Sequence, residues 1–208
     1  MFEFLTETNK NDAIVIIKDD HDKVKGLFDK FKKAETLREK KKIVAEAIME
    51  LKIHATIEEE IFYPSMRKQL EKDMMNEADE EHHVAKLLIA ELEQMDGSED
   101  HWATKFTVLA ENIRHHIKEE ESEMLPKARE LDIDFNVIGQ QLLVRKQQLK
   151  KNGIPACAEE KLISTYGIAD SPARMAKTKH SFKIKKVAKK TAIKSSVKVI
   201  EKTKRKAG

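Results

Sequence analysis

The chain has 208 residues and one cysteine, Cys157, so no internal disulfide can staple it. A lone thiol fits a reducing compartment, and the expectation is a cytoplasmic protein. With only 6 Gly and 4 Pro, turn-forming residues are at about half their usual share, which argues against a turn-rich sheet protein. Aromatics make up 5%. No apolar run approaches the roughly 20 residues that span a bilayer, so no membrane association is expected. The opening stretch MFEFLTETNKND is acidic and polar and does not read as a signal peptide. What remains is 37% charged and 40% hydrophobic residues, a mixture that suits long amphipathic helices.

The net charge of +3 conceals two opposite pieces. Residues 171–208 hold 12 Lys, 2 Arg and one acid, Glu201, which is +13. Residues 1–170 then hold 26 bases and 36 acids, which is −10. So much charge of one sign cannot offset the entropy of ordering, and 171–208 reads as a separate, largely disordered basic tail. Such a tail could displace counterions from nucleic-acid phosphates without reading sequence, or simply keep the chain soluble. Its one aromatic, Phe182, gives no platform for stacking on bases.

Four segments carry helical periodicity, at roughly 12–34, 36–71, 73–95 and 100–130. Thr36 followed by Glu39 reads as a capping box, and Asp96-Gly97 as a stop. Short links between long helices predict an all-α, up-down-up-down four-helix bundle over 12–132. Residues 133–170 add a fifth helix near 135–151, packed outside or at one end, and a linker with a short helix at most. Cys157 is expected in an exposed part of that linker, as an unremarkable thiol.

Each bundle helix has an inward stripe at steps of three and four. The first gives Ile14, Ile17, His21, Val24, Phe28 and Phe31, and the second Val44, Ala47, Leu51, His54, Glu58 and Ile61. The third gives Met75, Ala78, His82, Ala85, Ile89 and Leu92, and the fourth Phe106, Leu109, Ile113, His116 and Glu120. A single histidine on an apolar face is usually a satisfied core residue. One per helix, each near mid-helix, is a constellation. Glu58 and Glu120 sharpen it, because a buried carboxylate without a partner is very costly and neither shares its stripe with Lys or Arg. Metal ions would satisfy all six residues at once.

The second and fourth helices also repeat each other. His54, Glu58 and Pro64 match His116, Glu120 and Pro126, with Glu at +4 and Pro at +10. The repeat selects His116 over His115, which shares a stripe with Asn112 and Glu119. His83 lies on a polar stripe with Asp79, Lys86 and Glu93, which selects His82. His101 and His180 fall outside the site. Met66, Met74, Met75 and Met124 read as core filler near the bundle ends.

Four imidazoles and two carboxylates are too many for one tetrahedral zinc. They could close one octahedral ion, but two ions bridged by carboxylates fit the pseudo-twofold repeat better. Imidazole plus carboxylate suits iron, and also manganese, zinc or copper. Glu59, Glu119 and Tyr63 are candidates for orienting the rings.

These motifs resemble the hemerythrin-like, or HHE cation-binding, domain over about residues 12–132. The resemblance implies a non-haem di-iron centre, two ions bridged by oxo or hydroxo, held by His21, His54, Glu58, His82, His116 and Glu120. Oxygen-storing members are similar except that their third helix carries His-x-x-x-His, where this chain has Lys86. One ion then has one nitrogen fewer, leaving room for water, hydroxide or a substitute carboxylate such as Glu59. The pattern is closer to bacterial relatives linked to oxygen, redox or nitric-oxide sensing, iron handling and iron–sulfur repair. The expected ligand is a small diatomic or a peroxide, in a stress response. Low peroxidase or nitric-oxide-handling turnover, iron–sulfur repair, and nucleic-acid association through 171–208 are the alternatives.

Overall fold

The computed structural model describes residues 10–167. The chain divides into two units, 1–165 and 166–208. The bundle and its packing belong to the first. Most of the second, including the basic segment 171–208, lies outside the described residues.

Among the described residues every regular element is helical. Helix α1 spans Ala13–Lys33 and α2 Leu37–Ile57. Helix α3 spans Lys72–Glu93 and α4 Trp102–Glu119. Helix α5 spans Phe135–Asn152 and α6 Ala158–Tyr166. None of them is long and apolar enough to cross a membrane. Helix α1 packs chiefly on α2, α3 on α4, and α5 on α1 and α2. This is the four-helix bundle of the sequence pattern, with the fifth helix laid on its outside.

The ends are set by local chemistry. Asp12 caps α1, accepting hydrogen bonds from the Ile14 and Val15 amides at 2.9 and 3.3 Å. The same carboxylate takes a two-pronged contact from Arg129 at 2.7 and 2.8 Å, tying the end of the fourth helix to the start of the first. Thr36 and Glu39 form the expected capping box. Gly97, at φ +84°, takes the left-handed turn after α3 that a side chain would resist.

Helices α2 and α4 do not simply run on. Each passes into one π turn, Glu58–Phe62 and Glu120–Met124, and then into a short α segment, Tyr63–Met66 and Leu125–Arg129. The cause is the repeated proline. Pro64 and Pro126 each come six residues after the glutamate, lack an N–H, and would clash with the carbonyl four residues back. Widening the ladder by one residue relieves that clash, and the Tyr63 amide donates to the Glu58 carbonyl five residues back. The extra residue also rotates the next turn about the helix axis. Ile61, expected inside, is only partly buried, and Phe62 is fully buried in its stead. All other stripe residues are buried as expected.

The apolar interior is in two parts. One gathers Ile14, Ile17, Ile53, Ile57, Phe62, Met66, Met75 and Met124, with Phe135, Leu142 and Leu149 of α5. The other gathers Val24, Phe28, Phe31, Leu51, Ile89, Phe106, Leu109 and Ile113. The four histidines and two glutamates fall between them along each helix. Helix α5 is held very close to α1: a Cβ on Gly139 would lie 1.8 Å from the Asn11 carbonyl oxygen and 2.9 Å from the Ala13 nitrogen. Gly139→Ala should therefore destabilise the chain by about 2–3 kcal/mol, although alanine favours helix by about 1 kcal/mol. A denaturant midpoint that is unchanged or raised would disprove the close approach.

Candidate metal centre

His21, His54, His82 and His116 come one from each bundle helix, and none exposes more than 6% of its surface. They form two edge-to-face pairs, His21 with His54 at 4.9 Å and His82 with His116 at 4.7 Å between ring centres. Glu58 and Glu120, the first residues of the two π turns, are also buried, at 0% and 2%.

Their donor atoms converge. One atom each from His21, His54, Glu58 and Glu120 lie within 4.8 Å of one another, and so do atoms of Glu58, His82 and His116. Glu58 belongs to both groups. Its Oε1 is 3.2 Å from His54 Nε2 and its Oε2 is 3.5 Å from His82 Nε2. Glu120 Oε2 is 3.0 Å from His21 Nε2. His82 Nε2 and His116 Nε2 face each other at 3.2 Å.

Behind the rings stands a set of carboxylates, one for each histidine. Glu121 accepts from His21 Nδ1 at 2.9 Å, Glu59 from His82 Nδ1 at 2.9 Å, and Glu81 from His116 Nδ1 at 2.8 Å. Asp20 Oδ2 stands 3.5 Å from His54 Nδ1. The arrangement is cyclic: α1 supports the ring of α2, α2 that of α3, α3 that of α4, and the end of α4 that of α1. Lysines hold three of these carboxylates from outside. Lys25 meets Glu121 at 3.2 Å, Lys86 meets Glu59 at 2.6 Å, and Lys146 of α5 meets Asp20 at 2.5 Å. With Nδ1 hydrogen-bonded to a carboxylate, the His21, His82 and His116 rings are set to present Nε2 toward the bundle axis, the ligating form, whereas His54 Nδ1 has Asp20 near it without a hydrogen bond.

Of the proposed supports, Glu59 is in place, paired with His82 Nδ1 and Lys86. Tyr63 is fully buried with its hydroxyl 3.4 Å from His82 Nε2. Glu119 is different: it faces the exposed His115 at 3.1 Å and touches none of the four rings. Asp20, Glu81 and Glu121 were not singled out from sequence. The signal was present, since each supporting carboxylate is the immediate neighbour of a candidate ligand: Asp20-His21, Glu58-Glu59, Glu81-His82, Glu120-Glu121. His83 is half-exposed and pairs with Glu159 at 2.7 Å, away from the cluster.

Burial governs the protonation of this layer. It pushes the His54 imidazole down to about 4, against the pull of Asp20. It lowers His82, partly offset by Glu59. In His116, burial is outweighed by Glu81 and Glu120, and the ring stays above its usual range. Burial raises Glu58 well above the carboxylate range, with the charge of Glu120 adding to it. Burial also opposes ionisation of Glu120, but the neighbouring His21, His116 and His54 more than offset it.

The donor set fits metal ions. Both oxygens of Glu58 and of Glu120, and Nε2 of His21 and His54, are buried without a hydrogen-bond partner. Leaving so many groups unpaired in an apolar interior is costly, and cations coordinated by imidazole and carboxylate would satisfy them together.

A cavity of about 50 Å³ borders all four histidines. Its walls are mostly apolar, among them Val24, Ile89, Ile113 and Ile117, and Ile154, Pro155 and Cys157 from the link between α5 and α6 also line it. Cys157 is thus half-buried rather than exposed. Burial pushes its thiol up, which disfavours the reactive thiolate.

A family model described as the hemerythrin HHE cation-binding domain matches residues 12–128. The fold is similar to the crystal structure of a hemerythrin HHE cation-binding domain-containing protein from Mycobacterium kansasii, with a TM-score of 0.60. The two are 22% identical, and the match covers 76% of this chain and 94% of the other. No curated protein matches. With more than half of its length matched by that family model, the chain belongs to the hemerythrin HHE cation-binding family.

Proposed function

We propose that His21, His54, Glu58, His82, His116 and Glu120 hold two iron ions, and that the chain uses them to bind or sense O₂, peroxide or nitric oxide in a cytoplasmic stress response. The observation that carries this reading is Glu58, whose two oxygens lack hydrogen-bond partners and lie near one histidine of each pair, so that one carboxylate would be able to serve two ions. Two iron ions so held supply open coordination positions and one-electron redox chemistry for a small ligand. The protein supplies the rest. The carboxylates behind the rings fix their tautomer and direction. Lys86 turns to Glu59 and adds no donor, so His82, His116 and Glu58 form a three-donor group beside a four-donor one. That asymmetry favours ligand binding or sensing at one side over simple oxygen storage. The small, mostly apolar cavity beside the four histidines has room for a diatomic ligand.

The test is metal analysis with a visible spectrum on protein purified in air, beside the His54→Ala/His116→Ala double variant. The expected result is about two irons per chain and near-ultraviolet bands of a bridged pair, both lost in the variant. Little metal, or zinc bound equally by both proteins, would overturn the reading.

A further inference from the structure

A second cleft, of about 260 Å³, opens between α3 and the end of α4. Its character is opposite to that of the apolar cavity. Seven carboxylates line it against one cation, Lys127, which is itself paired with Glu71. At its inner end lies Glu120, 2% exposed, with both oxygens lacking a hydrogen-bond partner. His115 does not line the cleft but groups with two residues that do: Glu81, His115 and Glu119 each offer a donor atom within 4.8 Å of the others. His115 Nε2 is 3.1 Å from Glu119 and 3.8 Å from Glu81, and its side chain is 62% exposed. Glu81 looks both ways: one oxygen faces His115, the other accepts from His116 Nδ1.

We infer that Glu81, His115 and Glu119 form an outer site for a divalent transition-metal ion, and that the acidic cleft carries the ion from there to Glu120. The mixed imidazole and carboxylate donors select such an ion over calcium or magnesium, which prefer oxygen alone. A cleft lined by one sign of charge concentrates cations and speeds their capture. The loading role rests on the proposed di-iron centre, whereas the outer site has its own donors.

Two measurements on the full chain test this, comparing wild type with His115→Ala/Glu119→Gln. Both residues are surface-facing, and an unchanged melting temperature checks that the variant folds. In the first, Mn²⁺ is titrated into protein as purified and free ion is counted by electron paramagnetic resonance. Wild type should bind an ion that the variant binds at least about tenfold more weakly. In the second, chelator-stripped protein takes up Fe²⁺ anaerobically, and the variant should reach the same final iron content about tenfold more slowly. An ion retained equally by the variant, or none in wild type, overturns the outer site. Equal uptake rates overturn the route. Failure of either protein to retain iron indicts the central site instead, and the Mn²⁺ comparison still decides the outer one.

Discussion

Glu58→Leu should raise the melting temperature of the metal-free chain and abolish the gain in stability that metal gives the wild type. Glu58 is fully buried, and neither of its oxygens has a hydrogen-bond partner. Burial and the nearby Glu120 hold its carboxyl well above the usual range. Without metal, the residue is a desolvated polar group whose removal should stabilise by about 1–3 kcal/mol. For a chain of this length that is roughly 3–10 °C. With metal the order inverts. An ion present at about a hundred times its dissociation constant stabilises the wild type by about 2.7 kcal/mol. The variant lacks the one residue shared by both donor groups and should gain little. Thermal melts of both proteins, with chelator and with Fe²⁺ under anaerobic conditions, give four numbers. A Glu58 that served only the fold would make the variant less stable in all conditions, and metal would not change the ranking.

This inversion reflects how the bundle is divided. Two apolar cores lie on either side of one polar layer, and they supply the burial that lets the layer persist. The layer itself is a net cost until a cation enters it. The same logic explains the lysines behind Glu59, Glu121 and Asp20, which neutralise charge that would otherwise face the low-dielectric interior.

The bundle and the ligand candidates were legible because both rest on periodicity. Steps of three and four separated His82 from His83 and His116 from His115, and the structure buries the first of each pair and exposes the second. Periodicity misleads where the period changes. A 3.6-residue repeat carried through Glu58–Phe62 puts Ile61 inside, but that stretch is a π turn. The repeated prolines marked both turns, but only their steric conflict with the helix ladder says why. The supports of the rings were half legible. Glu59 and Glu119 sit one residue to either side of a ligand position, and only the packing of the neighbouring helix decides which reaches a histidine. Gly139 and Cys157 were not legible at all. One is fixed by the close approach of α5 to residues 11–13, and the other by a link whose residues line the cavity. Both are contacts distant in sequence that leave no local pattern.

Glu58-Glu59-Glu60 puts three identical side chains in succession and gives them three surroundings. Glu58 faces both histidine pairs. Glu59 holds His82 Nδ1 at 2.9 Å and is itself held by Lys86. Glu60 pairs on the surface with Arg145 at 2.6 and 2.9 Å. Glu59→Ala should therefore speed loss of iron to a chelator by about 10–100-fold, because the His82 ring loses both its fixed tautomer and the partner that raises its basicity. Glu60→Ala should change that rate by less than about twofold, since exposed ion pairs contribute about 0–1 kcal/mol and this one touches no ring. Lys86→Met removes the outer hold on Glu59 while leaving its bond to His82, and should fall between the two. The same graded loss is expected for Glu81→Ala and Glu121→Ala, whose contacts to His116 and His21 are as short. Asp20→Ala should have the mildest effect of the four, because its carboxylate stands 3.5 Å from His54. The measurement is iron transfer to a chromophoric chelator, with helicity and melting tracked in parallel to exclude general unfolding. Equal rates for Glu59→Ala and Glu60→Ala would mean that the carboxylates behind the rings do not act on the metal.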